Sequence, residues 1–485
     1  MLTPAELRLL DAKSIRDAVA TGRLSALEVT EACLQAIAVV DPVLHAFTHV
    51  ADSAARATAK DIDARRARRE PLGPLAGVPV PVKDLIFTKD MPTTFGSRLY
   101  ENFVPADDDI VVERLRSADA VIIGKTNVSE FGYGGVGHNP LFPTTRNPWN
   151  PGLTSGGSSA GSAVAVATGI VPLALGSDGG GSVRLPASFN GIFGMKASMG
   201  RVPLWPGCRD ETLPGASGWE SIEHIGPLTR TVADAQLLLS VIAGPDPRDR
   251  HSIPSADVDW LAADVQRSLG LRVAWCADWG GLPLDPDVRR VCAAAARVFE
   301  TDLGCIVEET PPPFPWDIET FRAIVAMDTD FAGLRNLIAA HGGQAVSPRL
   351  RETLERVWTG EEFLVASSRR RGMANAMARF MSRYDLLLTP TVSTLPFALG
   401  HDGPGSIDGI GVDDDAWTPT EFPSNLTGHP AASVPAGWSY GGLPIGLQIC
   451  GRHLDDQMVL AACRAFESAR PWRDRVPPPM QGISG

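Results

Sequence analysis

The chain has 485 residues with 44 basic and 56 acidic groups, a net charge of −12, and is 44% hydrophobic and 21% charged. That balance is ordinary for a globular fold and excludes disordered, collagen-like and coiled-coil classes; the negative charge, with no basic stripe interleaved with aromatics, argues against nucleic acid as a direct ligand. Seven scattered cysteines (Cys33, Cys208, Cys276, Cys292, Cys305, Cys450, Cys463) never fall in a C-x-x-C spacing, the N-terminus lacks the layout of a secretory signal, and the apolar run Ala163 to Leu175 is too short to span a bilayer, so the expectation is a soluble, cytoplasmic protein.

In chain order, residues 1–70 read as a helical layer. Ser25-Ala26-Leu27-Glu28 is a capping-box pattern, and Val29, Cys33, Ile37 and Val40 follow at helical spacing until Asp41-Pro42 stops the helix. His45 and His49 would share a helix face but lack a glutamate partner, so no metal is implied. Beyond Pro71 the texture changes to short apolar runs broken by glycine, such as Ala120 to Ile123 and Ile170 to Gly176, which suit the buried strands of an α/β sheet. Ala163 to Thr168 reads as a helix closed by Gly169. Turn-rich segments at Gly244 to Pro254 and Thr310 to Trp316 bracket a helix that includes Val288 to Glu300, and a Gly/Asp-rich segment covers His401 to Asp415. These read as insertions, over about 245–425, in a domain spanning 71–485.

Only six lysines occur, and one of them, Lys83, ends the apolar run Gly77-Val78-Pro79-Val80-Pro81-Val82. Such a lysine either reaches solvent from a strand end or is a desolvated amine able to act as a base. Further on, Thr154 to Ser162 is Gly/Ser-rich and runs into a helix, and Ser177-Asp178-Gly179-Gly180-Gly181-Ser182 makes a tight turn after a strand. Three successive glycines let backbone N–H groups converge on one point, as an oxyanion hole requires, and Ser182 sits beside them. A serine nucleophile needs a base, and no histidine lies in these motifs. The candidates are Lys83 as base and Ser158 as a hydroxyl relaying the proton of Ser182. A rival pattern, Gly157-Ser158-Ser159-Ala160-Gly161, fits the G-x-S-x-G elbow of α/β-hydrolases, with Ser159 attacking and His429 or His453 as base. A phosphate loop is excluded because Ser162-Ala163 stands where Lys-Ser/Thr is needed.

Lys83-Asp84, Gly156-Gly157-Ser158-Ser159-Ala160-Gly161 and Asp178-Gly179-Gly180-Gly181-Ser182-Val183-Arg184-Leu185-Pro186 together resemble the amidase signature family. So do Gly124-Lys125-Thr126-Asn127 with Glu130, Arg146-Asn147-Pro148-Trp149, and Gly442 to Gln448, so the likeness runs from Pro71 to Gly451. Ala160 departs from the family's glycine and is tolerable where φ is negative. The resemblance implies one large α/β/α domain with a central mixed β-sheet flanked by helices. It also implies a Ser-Ser-Lys triad of Ser182, Ser158 after a cis peptide bond, and Lys83, with backbone N–H groups of Gly179, Gly180, Gly181 and Ser182 as the oxyanion hole and no cofactor. Ser159 is expected to hydrogen-bond near Lys83, and Asp178 with Arg184 to form a structural ion pair. The implied activity is amide hydrolysis. Aromatic residues in Phe131 to Thr145, Trp205 to Trp219, Trp316 to Trp358 and His401 to Asn425, with few charge anchors, favour apolar or aryl amides, with carbamates or esters as related substrates. The partner is thus a small molecule, with no nucleic acid and no membrane, and homodimers are common among relatives. The glutaminase component of a tRNA-dependent amidotransferase shares this chemistry, but its substrate-loop pattern is not seen between Trp316 and Arg356.

Overall fold

Near-continuous apolar runs, rather than alternating ones, make strands that must be covered on both faces, and they build the centre of this molecule. In the computed structural model, which describes residues 2–207, 210–216, 218–254, 258–262, 265–342 and 346–478, the strands are β1 (Phe47–Val50), β2 (Pro79–Lys83), β3 (Val121–Thr126), β4 (Leu173–Ser177), β5 (Phe193–Lys196), β6 (Ile225–Thr229), β7 (Arg272–Trp275), β8 (Ile306–Glu309), β9 (Leu386–Pro390), β10 (Ser406–Ile407), β11 (Ile410–Gly411), β12 (Ala431–Trp438) and β13 (Pro444–Gly451). Among the described residues, eleven of them form one sheet in the order β1-β3-β2-β4-β6-β5-β12-β13-β9-β7-β8, and β10 with β11 makes a small ribbon. The sheet is mixed: β2 runs parallel to β3 and β4, and β7 to β8 and β9, while β6, β5, β12 and β13 pair antiparallel. Helices cover its faces, giving the α/β/α architecture expected, and every residue of β2, β3, β4, β5 and β6 is buried.

Several expectations shift. The helix starting at Ala26 does not stop at Asp41-Pro42 but continues to Leu44 with the proline inside it. The final turn holds because the His45 N–H donates to the Asp41 carbonyl, and the Asp41 carboxylate accepts from the N–H groups of Ala46 and Phe47. His45 is thus the helix cap and His49 lies in β1, so the two do not share a helix face. β1 was not expected in the helical N-terminal segment; it pairs with β3 at Gly124, where any side chain would run into the His49 carbonyl 2.1 Å away. The predicted strand Ile170 to Gly176 forms instead over Leu173–Ser177, after the helix Ala160–Ala167 and its left-handed Gly169. Ala160 opens that helix without conflict. The segment read as insertions contributes β7, β8 and β9 to the sheet as well as the helices Ile318–Met327, Phe331–Ala340, Pro348–Glu355 and Gly360–Met381. No helix among the described residues is long and apolar enough to cross a membrane. Six cysteines are buried and unpaired, and Cys208 lies outside the described residues.

Gly161 locks the first turn of the helix Ala160–Ala167 against β1 and β3, since a Cβ there would stand 2.0 Å from the Ala46 carbonyl oxygen and 2.5 Å from the Asn127 nitrogen. Gly161→Ala is therefore expected to lower stability by about 1–3 kcal/mol or more through overpacking against backbone, read as a fall in the urea midpoint.

Candidate active site

β2 and β4 are parallel neighbours, so their C-terminal ends bring Lys83 and Ser177 side by side at one edge of the sheet. Lys83 is fully buried. Its Nζ lies 2.7 Å from Ser158 Oγ, 2.9 Å from Ser177 Oγ and 3.0 Å from the Ser177 carbonyl oxygen. Ser158 follows a cis peptide bond after Gly157, a glycine whose Cβ would strike the Val136 carbonyl at 2.4 Å. Burial holds the Lys83 amine below the ordinary lysine range, while the carboxylates of Glu223 and Asp178 pull it back up.

The loop after β4 is tied down from one side chain. The Asp178 carboxylate accepts from the Gly181 N–H at 2.8 Å and the Val183 N–H at 3.1 Å, and from Arg184 Nη2 at 2.9 Å and Nε at 3.0 Å. Burial alone would raise its pKa, but the Arg184 guanidinium overrides it and holds the group well below the usual carboxylate range. Arg184 is itself fully buried and donates to Gln448 Oε1, Asn425 Oδ1 and the Glu421 carbonyl, which accounts for the glutamine of the C-terminal motif. The ion pair expected between Asp178 and Arg184 is thus present.

This tether also narrows the expected oxyanion hole. The Gly181 N–H is occupied by Asp178, whereas among the described residues the N–H groups of Gly179, Gly180 and Ser182 meet no protein acceptor. Glycine is required where packing is close: a Cβ on Gly180 would stand 2.6 Å from the Phe321 ring, and one on Gly179 2.2 Å from the Trp219 ring and 2.6 Å from a Glu223 carboxyl oxygen.

Ser182 is half-buried and faces two cavities that meet at it. The larger, about 290 Å³, has walls of Tyr133, Trp219, Phe321, Val325, Trp417 and Phe422. More charges line it than expected: Arg322 and Arg349 are both paired with Asp415, Arg356 lies over the Trp358 ring at 3.5 Å, and Glu352 and Asp414 line it as well. The smaller, about 60 Å³, is lined by Ser158, Ser177 and Gly179.

The structure thus brings Lys83, Ser158, Ser182, Gly179 and Gly180 to one place. Ser177 and Glu223 were not foreseen. Glu223 lines the small cavity, and its carboxyl is shifted upward by burial, with the Lys83 charge and the Ser177 hydroxyl acting in the opposite sense. No pattern in Ser221-Ile222-Glu223-His224 marks it, because its role depends on β6 lying beside β4. The Ser159 reading fails. Its hydroxyl is fully buried and hydrogen-bonds the Ser177 carbonyl at 3.1 Å, the same carbonyl Lys83 uses, while the rings of His429 and His453 lie tilted against each other, 5.6 Å apart, near Lys196 and, among the described residues, hydrogen-bond to no part of Ser159. No group of histidine, cysteine and carboxylate side chains suited to a metal occurs among the described residues.

A buried amine, the hydroxyls of Ser158, Ser177 and Ser182 and open backbone N–H groups thus meet at one end of the sheet. The Amidase family model matches residues 28–460. The chain is 36% identical to an acylamidase of Rhodococcus erythropolis over 98% of each chain. It is 35% identical to one component of the glutamyl-tRNA(Gln) amidotransferase of Chloroflexus aggregans, over 97% of this chain and 99% of that one. Among solved structures it is similar to a bacterial aryl acylamidase of the amidase signature enzymes, with a TM-score of 0.88, 32% identity and 96% coverage of both chains. It is also similar to 6-aminohexanoate cyclic dimer hydrolase, with a TM-score of 0.85, 27% identity and coverage of 98% of this chain and 100% of that one.

Removing one partner of a buried ion pair leaves an uncompensated charge, at a cost of about 3–5 kcal/mol. Arg184→Met, which keeps most of the volume, is expected to lose that much in urea unfolding, since Asp178 would remain buried and charged.

Proposed function

The chain belongs to the amidase family of C–N hydrolases, and on that premise we propose that it hydrolyses small amides with apolar or aryl acyl groups through an acyl-enzyme on Ser182. The observation that carries this reading is the triple contact of Lys83 Nζ with Ser158 Oγ, Ser177 Oγ and the Ser177 carbonyl. A neutral amine has two N–H donors and one lone pair. The carbonyl can only accept, so one N–H is committed to it; the other goes to Ser177 Oγ, and the lone pair is left for the Ser158 hydroxyl. Burial favours that neutral form.

The proton path then balances. As the Oγ–C bond forms, the Ser182 proton passes to Ser158 Oγ, whose own proton passes to Lys83 Nζ. The oxyanion is held by the N–H groups of Gly179, Gly180 and Ser182, each such donor contributing about 3 kcal/mol. On collapse the C–N bond breaks and the proton returns from Lys83 through Ser158 to the departing nitrogen. Water repeats the cycle to release the acid. Carbamates and esters present the same acyl carbon to Ser182 and fall within this reading. The 35% identity to the amidotransferase component favours a second reading, a glutaminase within a larger assembly. The aromatic walls of the large cavity support the first, since they suit an apolar acyl group and two of the arginines beside them are already paired with Asp415.

Ser182→Ala and Lys83→Ala are expected to lower kcat/KM on an aryl-acyl amide by roughly 10³-fold or more with the fold intact by circular dichroism; retention of activity by either variant sinks the proposal. Because the neutral amine is the base, kcat/KM should rise with pH along a limb whose midpoint lies below the ordinary lysine value of 10.5. The Glu223 carboxylate stabilises the protonated amine, so Glu223→Gln should lower the Lys83 pKa and move the limb to lower pH. A pH–rate profile of the variant pair checks the sign.

A further inference from the structure

Ser182 stands at the waist between two chambers of unequal size. Gly132, Ser182 and Trp219 line both; Ser158, Ser177 and Glu223 belong to the smaller, of about 60 Å³, and Gly180, Gly181 and Phe321 to the larger, of about 290 Å³. This asymmetry fixes how an amide must lie. The departing nitrogen takes its proton from Ser158 Oγ, so it must face the chamber that Ser158 lines. The carbonyl oxygen is drawn to the N–H groups at Gly179, Gly180 and Ser182, which leaves the acyl substituent for the larger, aromatic chamber.

Volume then limits the amine. A cavity of about 150 Å³ is the size known to take up benzene, and the small chamber is less than half of that, walled by Leu85, Phe131 and Trp219. The small chamber therefore suits an NH₂ or a short N-alkyl group on the nitrogen better than a phenyl ring. The chamber also offers a polar partner: the Glu223 carboxyl lies 2.6 Å from where a Cβ on Gly179 would stand, beside the oxyanion site. It can accept the spare N–H of a primary carboxamide, a donor that fully substituted amides lack.

We infer that the small chamber is the leaving-amine site, with Leu85 and Glu223 as specificity-determining residues, and that the enzyme acts on primary and short N-alkyl carboxamides of bulky apolar acids while rejecting their anilides. The inference rests on the Ser182–Ser158–Lys83 reading above and adds to it the direction in which the substrate lies.

The test is a series with one acyl group, 3-phenylpropanamide, its N-methyl derivative and its anilide, run on the intact protein alongside labelling of Ser182 by a sulfonyl fluoride. The expected result is a kcat/KM for the primary amide at least about tenfold above that for the anilide, although aniline is the better leaving group. Leu85→Ala, which enlarges the small chamber, should narrow that ratio about tenfold or more. A wild-type ratio below tenfold, or no turnover of the primary amide, with Ser182 still labelled, overturns the chamber assignment and leaves the nucleophile standing. Absence of both turnover and label overturns the reading beneath it as well.

Discussion

The arrangement depends on one amine held in the interior. An isolated ammonium taken out of water costs several kcal/mol even after relaxation, and among the described residues Lys83 is hydrogen-bonded to two hydroxyls and a carbonyl and to no carboxylate. Burial lowers the pKa of this amine from 10.5 to about 8, so the neutral form is far easier to reach than for a solvated lysine. That shift is what the proposed mechanism uses, in which Lys83 acts as the base and the contacts that satisfy its N–H groups leave its lone pair to Ser158. Each of the three partners comes from a different constraint on the chain: β4 must be parallel to β2, the Gly157–Ser158 turn must sit against Val136, and Ser159 must hold the Ser177 carbonyl in place.

Lys83 is not alone in this. Of the six lysines in the sequence, Lys125 and Lys196 are also fully buried. Their surroundings separate their roles. Lys125 hydrogen-bonds Thr93 Oγ1 and the Ile86 carbonyl and stands 3.8 Å from Asp84, bracing the turn that follows β2. Lys196 donates to the His429 and Ala197 carbonyls and sits against His224, behind the Asp178 loop. None of the three lines the cavities at Ser182, but Lys83 alone of them hydrogen-bonds Ser158 and Ser177, which line the smaller one. The Asp178–Arg184 pair gives equivalent bracing to the loop that carries Ser182: by engaging the Gly181 N–H it sets the loop so that, among the described residues, the neighbouring N–H groups meet no protein acceptor.

Much of this was legible in the sequence because it is written in short, local patterns. Glycines at 179–181 beside Ser182, the Ser158 loop and the lysine at a strand end each carry a backbone or pKa requirement few other residues meet, and the mixed sheet followed from the family resemblance they support. What was not legible depends on pairing between distant segments. Glu223 and Ser177 matter only because β6 and β4 are neighbours; the division of the site into two chambers comes from Trp219 and Phe321 packing over glycines 179 and 180. The helix ran through Pro42 because the Asp41 side chain closes its last turn, a tertiary rescue that propensity does not encode. Charges expected to be scarce around the large cavity are present, with Arg322 and Arg349 sharing Asp415 from a distant segment, a pairing that composition by segment cannot reveal.

The central claim is that the reactive hydroxyl is Ser182 and that its reactivity is drawn from Lys83. Peptide mass mapping after reaction with a small sulfonyl fluoride measures this most directly, comparing the native protein with Lys83→Ala. The account predicts a single adduct on Ser182 in the native protein and its loss in the variant. An adduct on Ser159, or an adduct on Ser182 that forms equally well without Lys83, would contradict it.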